Sequence, residues 1–576
     1  MQQNSVKTVY NRKFIQWLKD AWHLAKPYWK SEERYAAYAK LAAVIALNLA
    51  YVYITVVANQ WYNSFYDALQ RYDKQSFVPL VVKFCWIAFF NVLLQLVSFY
   101  IRKHLEISWR RWLTDKYLKD WLSRQSYYKT RFIKPIDNPD QRISEDINSF
   151  IGLTLDLSLG LITSLVSLFS FVFILWKLSG VLSFNFIGQG WNIHGYLVWL
   201  AVLYALVGTY ITFKIGRPLI KLNFQQQAYE ADFRFGLLRV REYSEDIAFY
   251  QGEAQESSGL SRRFHNVVDN FFKVVKRTLK INGFGFVYGQ TSVLFPLLIC
   301  VPRYLSKVIT LGQLMQITSA FGRVQDALSY FLNAYTSMAG WRAVMDRMYG
   351  FQEAVHNAGE LSGIAKTADN HNYLAVSELR INLPKMPQPL VSNISFELNS
   401  GDRLLIRGRS GSGKTTLLRT LAGLWPFASG KISGNPDKSS LFIAQKPYIP
   451  AINLKQAICY PLVDNLPSDE IVSRIMRECG IAYLGKRLHE TADWGKMLSL
   501  GEQQRIAFCR ILINRPDIVY MDESTSALDE EMEQHLYQLL IEQLPNSALI
   551  SVGHRSTLRQ WHNQELNFND LVSVNE

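Results

Sequence analysis

The chain has 576 residues, 49% of them hydrophobic and 14% aromatic, and a formal net charge of +14. This length accommodates two or three domains. From Val376 onward 21 basic residues stand against 22 acidic ones, which leaves 41 against 26 in residues 1–375. Because that basic excess borders long apolar runs, it fits the cytoplasmic flanks of membrane spans and argues against nucleic-acid binding. The five cysteines show no CxxC spacing, which argues against a zinc site or a disulfide frame.

The N-terminal third predicts a surface segment followed by membrane spans. In residues 1–35, the helical spacing of Phe14, Leu18 and Trp22 predicts an apolar stripe, which lies along a membrane or packs on the protein's own body. Six apolar segments then follow, each near the ~20 residues that a helix needs to cross a bilayer. Their predicted bounds are 37–58, 77–100, 151–176, 195–213, 283–302 and 309–337.

The loops between these segments predict their orientation. Segment 101–150 holds eleven Lys and Arg residues and segment 214–281 is similarly basic, whereas loop 181–194 has none. By the positive-inside rule, the two basic loops and both termini lie in the cytoplasm. Read as helix pairs, the two loops form long helical extensions of the spans.

The sixth segment is too polar for a helix that faces lipid. Its polar residues either line a water-filled cargo cavity or include a structural ion pair between Arg323 and Asp326, which are spaced i, i+3. Residues beyond it are polar and of mixed charge, as in a linker. The predicted domains are an N-terminal segment 1–35, a membrane domain 36–350, a linker 351–375 and a second domain 376–576.

The second domain begins with short strand-like runs, one of which leads into a glycine-rich loop. Residues 408–415 read GRSGSGKT, the phosphate-binding pattern G-x-x-x-x-G-K-[ST], followed by a helical pattern. The glycines let backbone N–H groups wrap the phosphates of ATP, while Lys414 reaches the β- and γ-phosphates and the Thr415 hydroxyl binds Mg²⁺. The predicted nucleotide-binding residues here are Gly408, Arg409, Ser410, Gly411, Ser412, Gly413, Lys414, Thr415 and Thr416.

Four further residues follow strand-like runs and complete the predicted chemistry. Asp522 is a candidate Mg²⁺ ligand, and Glu523 is a candidate general base that polarises the attacking water. Gln445 can contact Mg²⁺ or water, and His554 can contact the γ-phosphate, although each residue alone is unremarkable. The predicted catalytic residues are Glu523, His554, Lys414 and Gln445, and the predicted metal ligands are Thr415, Gln445 and Asp522.

Residues 498–505 read LSLGEQQR. This stretch resembles the signature motif of the ABC ATPases. The motifs also follow one another in that family's order, namely the phosphate-binding loop, Gln445, this stretch, Asp522, residues 526–529 and His554. The resemblance implies that the signature completes an ATP site held by a second copy of the chain, so that a homodimer hydrolyses ATP to drive transport. The signature residues implied to bind nucleotide are Ser499, Gly501 and Glu502.

The chain departs from the common ABC pattern in two places. Leu500 and Glu502 stand where glycine and glutamine are common, and residues 381–387 contain no aromatic side chain on which adenine could stack. Binding through Gly501 is compatible with the first departure. The second leaves base selectivity open.

Residues 138–146 and 244–250, in the two basic loops, point to a branch of the family. Both resemble elements of peroxisomal fatty-acyl (subfamily D) ABC half-transporters and their bacterial SbmA/BacA-like relatives. That resemblance implies an exporter-type α-helical membrane domain of six transmembrane helices, fused to an α/β P-loop ATPase domain. It also favours a bacterial inner membrane, with the protein in contact with lipid and its ATPase domain in the cytoplasm.

The cargo expected from this branch is a bulky amphipathic or hydrophilic solute, such as a peptide or a cobalamin-like compound. Transport of fatty acids or acyl-CoA is the alternative, and an ATP-gated regulator or channel is a further one. The direction of transport stays open.

Overall fold

The computed structural model of the chain describes residues 14–133, 138–186, 189–361, 363–364, 366–368, 373–384, 388–435 and 437–570. The chain divides into two compact units. Unit 1 comprises Met1–Leu122 and Ile136–Glu353, and unit 2 comprises Ser123–Pro135 and Ala354–Glu576.

The helices that precede the ATPase motifs lie in unit 1, apart from residues 126–133 and 354–360, which belong to unit 2. In chain order they are α1 (Phe14–Trp29), α2 (Arg34–Gln70), α3 (Lys74–Leu122), α4 (Ser126–Ile133), α5 (Ile147–Ser179), α6 (Tyr196–Glu242), α7 (Ser244–Phe249), α8 (Glu253–Leu305), α9 (Leu311–Leu328) and α10 (Tyr330–Glu360). A hairpin of β1 (Val181–Phe186) and β2 (Gln189–His194) joins α5 to α6. Helix α3, with 49 residues, is roughly 70 Å long at 1.5 Å per residue. The predicted helical extensions of the spans are therefore confirmed.

Five helical segments of the described chain are long and apolar enough to cross a membrane: Arg34–Gln70, Lys74–Ile133, Pro139–Ser179, Tyr196–Glu242 and Glu253–Leu305. They contain the first five predicted spans, except that the helix of the fourth begins at Tyr196, one residue after the predicted start. The sixth predicted span is divided between α9 and α10, which meet at Ser329. A sixth crossing therefore stays a prediction.

Two polar side chains of the sixth predicted span have structural roles. Gln313 forms a reciprocal cap with Thr310 at the start of α9. The Gln316 side-chain oxygen accepts a 3.0 Å hydrogen bond from Asn63 of α2. Arg323 and Asp326 are both exposed, and the described residues show no ion pair between them within 4.0 Å. Among the described residues the two side chains therefore form no close ion pair, and the choice between a structural pair and a cavity lining stays a prediction.

Helix α1 packs on unit 1 through one face. Tyr28 stacks on Trp109 with ring centroids 5.5 Å apart and an angle of 8° between the ring planes. Leu18 and Trp22 remain exposed on α1, so they stay available to a membrane surface. The side chain of Phe14, the first member of the predicted stripe, lies outside the described part of the structure.

Unit 2 holds two sheets. Its strands are β3 (Lys366–Ala368), β4 (Leu374–Asn382), β5 (Pro389–Leu398), β6 (Arg403–Arg407), β7 (Ala428–Gly434), β8 (Ser440–Ile443), β9 (Ile518–Asp522), β10 (Ala548–Val552) and β11 (Gln564–Asn567). The first sheet is parallel in the order β11-β6-β10-β9-β8, and the second has the order β3-β7-β4-β5. Its helices are α11 (Lys414–Leu421), α12 (Leu454–Cys459), α13 (Asp469–Glu478), α14 (Trp494–Met497), α15 (Leu500–Asn514) and α16 (Glu530–Gln543).

Two predicted boundaries differ from the structure. Within the predicted linker 351–375, α10 continues to Glu360 and β3 joins the second sheet. Segment 123–135 lies inside the predicted membrane domain but belongs to unit 2. The Phe132 ring packs edge-on against Trp425, with centroids 5.1 Å apart, and this aromatic contact is a physical reason for the assignment.

Candidate ATP site

The parallel sheet brings the predicted site residues together. The phosphate-binding loop follows β6, Gln445 follows β8, Asp522 ends β9 and His554 follows β10. These four strands are neighbours in the sheet and run in the same direction. Ligands of open parallel sheets bind at the carboxyl ends of the strands, which is where these residues lie.

The phosphate-binding loop needs its glycines for geometry. Gly411 and Gly413 have φ angles of +78° and +102°, which side-chain-bearing residues rarely adopt. A Cβ atom on Gly413 would also lie 2.6 Å from the Leu390 side chain. Gly411 has open space around the same position, so a ligand can approach the backbone there.

The Lys414 side chain binds the backbone of its own phosphate-binding loop. Its ammonium donates hydrogen bonds to the carbonyl oxygens of Gly408 (2.9 Å) and Arg409 (2.8 Å). Burial lowers the pKa of this amine, against the raising effect of Glu523 and Asp522. The Ser412 hydroxyl is buried with no hydrogen-bond partner in the described chain. A buried cation and an unpaired hydroxyl make this loop suited to a phosphate anion.

The candidate metal ligands are adjacent. The Thr415 hydroxyl donates a 3.1 Å hydrogen bond to Asp522. Burial raises the pKa of the Asp522 carboxyl, and the neighbouring Glu523 adds to this effect. The described residues contain no cluster of three His, Cys, Asp or Glu side chains that could hold a metal. A hydroxyl and one carboxylate nevertheless fit Mg²⁺, which binds through one or two protein oxygens together with substrate phosphates.

Two of the candidate catalytic residues, Gln445 and His554, contact a third, Glu523. The Gln445 amide donates a 3.1 Å hydrogen bond to one carboxylate oxygen, and the His554 ring nitrogen Nε2 lies 3.2 Å from the other. Glu523 has a φ of +48°, a strained conformation that its N–H bond to the Val552 carbonyl helps to hold. The carboxylate borders a cavity of about 150 Å³, which also touches His554. The space admits water beside a candidate general base.

The signature residues form the start of α15. The Ser499 hydroxyl donates to the Glu502 carboxylate at 2.7 Å, and the Ser499 N–H donates to the same oxygen at 2.8 Å. Gly501 packs so closely on the Ala527 carbonyl that a Cβ atom there would lie 3.0 Å from its oxygen. In the described chain, Ser499 has no hydrogen bond to the phosphate-binding loop.

Gln504 is a site residue that the sequence reasoning missed. It is fully buried, and its amide donates to the Gln445 carbonyl (2.9 Å) and to the Ser526 hydroxyl (3.2 Å). Its oxygen accepts the Ala527 N–H at 3.0 Å. The sequence contains a signal for the burial of Gln504, because this residue shares a helical face with the apolar Phe508.

Glu533 and Asn569 were also missed. The fully buried Glu533 carboxylate accepts hydrogen bonds from Thr525 and Thr557, both at 2.6 Å, so it joins the segments that follow Glu523 and His554. The Asn569 side chain accepts the Arg409 N–H at 2.9 Å and supports the phosphate-binding loop. Thr557 lies 24 residues from Glu533, and Arg409 lies 160 residues from Asn569, so local sequence patterns do not reveal these contacts.

Comparison with known proteins identifies this arrangement. Residues 24–305 match the family described as "ABC transporter transmembrane region 2", and residues 391–526 match "ABC transporter". An uncharacterized ABC transporter ATP-binding protein of Haemophilus influenzae is 39% identical over 563 residues, covering 97% of this chain and 93% of that protein. This chain belongs to the ABC transporter family. The transporter carries its transmembrane region and its ATPase domain in one polypeptide.

Other relatives agree with this assignment over nearly the whole transporter. The inner membrane ABC transporter ATP-binding protein YddA of Escherichia coli is 36% identical, covering 92% of this chain and 94% of that protein. The lysosomal cobalamin transporter ABCD4 of Homo sapiens is 26% identical, covering 96% and 93%. A solved structure of a bacterial Atm1-family ABC exporter with ATP bound has the same fold, with a TM-score of 0.74 at 17% identity over 92% of this chain and 93% of that one. The predicted fold class is thereby confirmed.

Proposed function

We propose that the transporter hydrolyses ATP at two composite sites of a homodimer and uses the cycle to move a solute across the membrane. The convergence of Gln445 and His554 on Glu523, beside the phosphate-binding loop, is the observation that carries this proposal. The chain has one phosphate-binding loop and one signature. Two chains are therefore needed to supply two sites.

Each residue has a defined role in the proposed reaction. Lys414 and the loop N–H groups bind the phosphates. Thr415, Asp522 and Gln445 would hold Mg²⁺, which would supply positive charge to the phosphates when bound. Glu523 polarises the attacking water and accepts its proton. His554 orients Glu523 and contacts the γ-phosphate.

The signature contributes from the second chain. Ser499 and Gly501 supply a hydroxyl and a backbone N–H to the γ-phosphate held by the partner, as in the ABC ATPases that the signature resembles. Glu502 holds Ser499 in place at the start of α15. Within the described residues, Ser499 has no hydrogen bond to the phosphate-binding loop of its own chain, which supports a role for Ser499 in the site of the partner.

The proposed setting is a bacterial inner membrane with the ATPase domain in the cytoplasm. The basic loops 101–150 and 214–281 support that orientation, and the relative YddA is named as an inner membrane protein. Contact with membrane lipid follows from five helical segments long and apolar enough to span a bilayer.

The cargo proposed is a bulky amphipathic or hydrophilic solute, such as a peptide or a cobalamin-like compound, as in the SbmA/BacA-like branch. The exposed Arg323 and Asp326 in the sixth predicted span support a polar cargo, and one relative is named as a cobalamin transporter. Fatty acids or acyl-CoA are the alternative cargo, supported by the resemblance of residues 138–146 and 244–250 to subfamily D.

Purified protein in proteoliposomes tests the proposal. Peptides, cobalamin and acyl-CoA are each supplied with ATP, and both ATP hydrolysis and solute accumulation are measured. We expect Glu523→Gln to lower the hydrolysis rate by about a hundredfold or more and to abolish accumulation. Solute flow that is gated by ATP but persists in Glu523→Gln, without accumulation against a gradient, would instead indicate an ATP-gated channel.

A further inference from the structure

The signature contains an acidic residue, Glu502, in contact with Ser499, whose hydroxyl is proposed to bind the anionic γ-phosphate. Glu502 holds both the N–H and the hydroxyl of Ser499 through one carboxylate oxygen. Burial acts to raise the pKa of the Glu502 carboxyl, but hydrogen bonds from Tyr483 and Ser499, together with the charge of Arg505, outweigh it and lower the pKa, so the group is an anion at neutral pH. The hydroxyl proposed to bind the γ-phosphate is thus occupied by a carboxylate, and like charges repel.

The other oxygen of Glu502 has its own partner. The Tyr483 hydroxyl donates a hydrogen bond to this second carboxylate oxygen. Tyr483, Glu502 and Ser499 therefore form a linear chain of hydrogen bonds. Tyr483 lies outside every motif singled out in the sequence.

The segment that carries Tyr483 is held firmly. It forms a short 3₁₀ turn, Ala482–Arg487, whose Leu484 side chain is buried in the core of unit 2. Just before this turn, the Gly480 carbonyl accepts a 2.8 Å hydrogen bond from Arg505 of α15. The turn is thereby fixed to the same helix that the signature begins, although the Tyr483 side chain itself is 57% exposed.

We propose that Tyr483 is a positioning residue of the ATP site, acting through Glu502 on the signature Ser499. Its hydroxyl bonds the Glu502 carboxylate on the side away from Ser499 and offsets part of the negative charge. The Ser499 hydroxyl can then turn from Glu502 to the γ-phosphate at lower cost. This inference rests on the proposed function, since it requires the signature to bind nucleotide held by a second chain.

The test compares Tyr483→Phe in two backgrounds. In the wild-type background we expect the KM for ATP to rise about fivefold with kcat changed less than about twofold, because one charge-assisted hydrogen bond on the binding side is lost. In Glu502→Gln, which keeps the oxygen acceptor but has no charge to offset, the same substitution should change KM less than about twofold. An equal effect in both backgrounds would mean that Tyr483 acts on the fold alone and would overturn the proposal.

A second readout does not depend on turnover. In a Glu523→Gln background, the ATP concentration that gives half-maximal retained nucleotide should rise by the same factor in Tyr483→Phe. Tyr448→Phe, which removes another exposed hydroxyl of unit 2, is the matched control and should change neither value. Ser499→Ala distinguishes a failure of the composite site from a failure of the Tyr483 proposal. If it has no effect, the proposed composite site fails, whereas an effect of Ser499→Ala without one of Tyr483→Phe rejects the Tyr483 proposal alone.

Discussion

Gln504 is a buried side chain whose hydrogen bonds join three separate segments of the ATP site. Replacing it with methionine keeps its volume but removes the bonds to Gln445, Ser526 and Ala527. We expect kcat for ATP hydrolysis to fall about tenfold or more, with a smaller change in KM, because misplacing Gln445 weakens its hydrogen bond to the general base Glu523. Steady-state kinetics across ATP concentrations measure both constants.

A neighbouring glutamine provides the control for Gln504. Gln503 is also buried, but its amide donates to the carbonyls of Gly495 and Leu498, near the start of its own helix. Gln503→Met should lower the thermal midpoint by a similar amount while lowering kcat less. Parallel losses of kcat and stability in both variants would show that Gln504 serves only the fold.

At this scale the sequence predicted the positions of the motif residues better than the contacts that hold them. The motifs predicted Lys414 in a loop that leads from a strand into a helix, and Asp522 at the end of a strand with Glu523 next to it, and the structure has all three there. They could not place Glu533 or Asn569, because each of these residues bonds to segments distant in the chain. The roles of the motif residues in binding ATP and Mg²⁺ stay predictions.

At the scale of elements, the contacts of residues 138–146 explain what this stretch does in the fold. Arg142–Asp146 forms a π-helical turn just before α5, and Asp146 is buried there. Its carboxylate accepts a hydrogen bond from Arg142 (2.8 Å) and two from Arg347 of α10 (2.6 and 2.9 Å). The stretch thus ties the first basic loop to α10, the helix that leads toward the ATPase motifs.

Arg347→Met tests this tie. Removing one partner of a buried ion pair costs about 3–5 kcal/mol. Because the Arg347 side chain is 38% exposed and Arg142 remains, we expect only about 1–2 kcal/mol here. A thermal unfolding scan in detergent should show a midpoint lower by a few degrees. Arg111→Met, which removes an exposed pair with Glu33, should leave the midpoint nearly unchanged, and equal shifts in both variants would contradict a special role for the Asp146 tie.

Element boundaries were harder to predict than the elements themselves. Apolar length and helical continuity gave the first five spans and their extensions. The division between α9 and α10 at Ser329 and the inclusion of residues 123–135 in unit 2 were not predicted. Contacts such as Phe132 on Trp425 cross nearly 300 residues of sequence and leave no periodic pattern in it.

At the scale of the whole molecule, the central question is whether an ATP site needs two chains. The sequence supplies one loop and one signature, and the fold is that of an Atm1-family exporter. A composite site predicts that defects in the loop and in the signature complement each other only when they lie on different chains. A site within one chain predicts the reverse, because any unmodified chain would then be sufficient.

Two doubly tagged heterodimers distinguish these arrangements, each built in a Glu523→Gln background that retains ATP. In the first, one chain carries Lys414→Ala and the other Ser499→Ala; one composite site then stays intact, and we expect about half the nucleotide retained by the unmodified pair. In the second, both substitutions lie on one chain. Each composite site then contains one defect, and we expect almost no retained nucleotide, whereas a site within one chain would leave the unmodified chain fully occupied. Nucleotide counted per dimer after rapid desalting decides between the two, and retention in the second heterodimer alone would show that the signature serves its own chain.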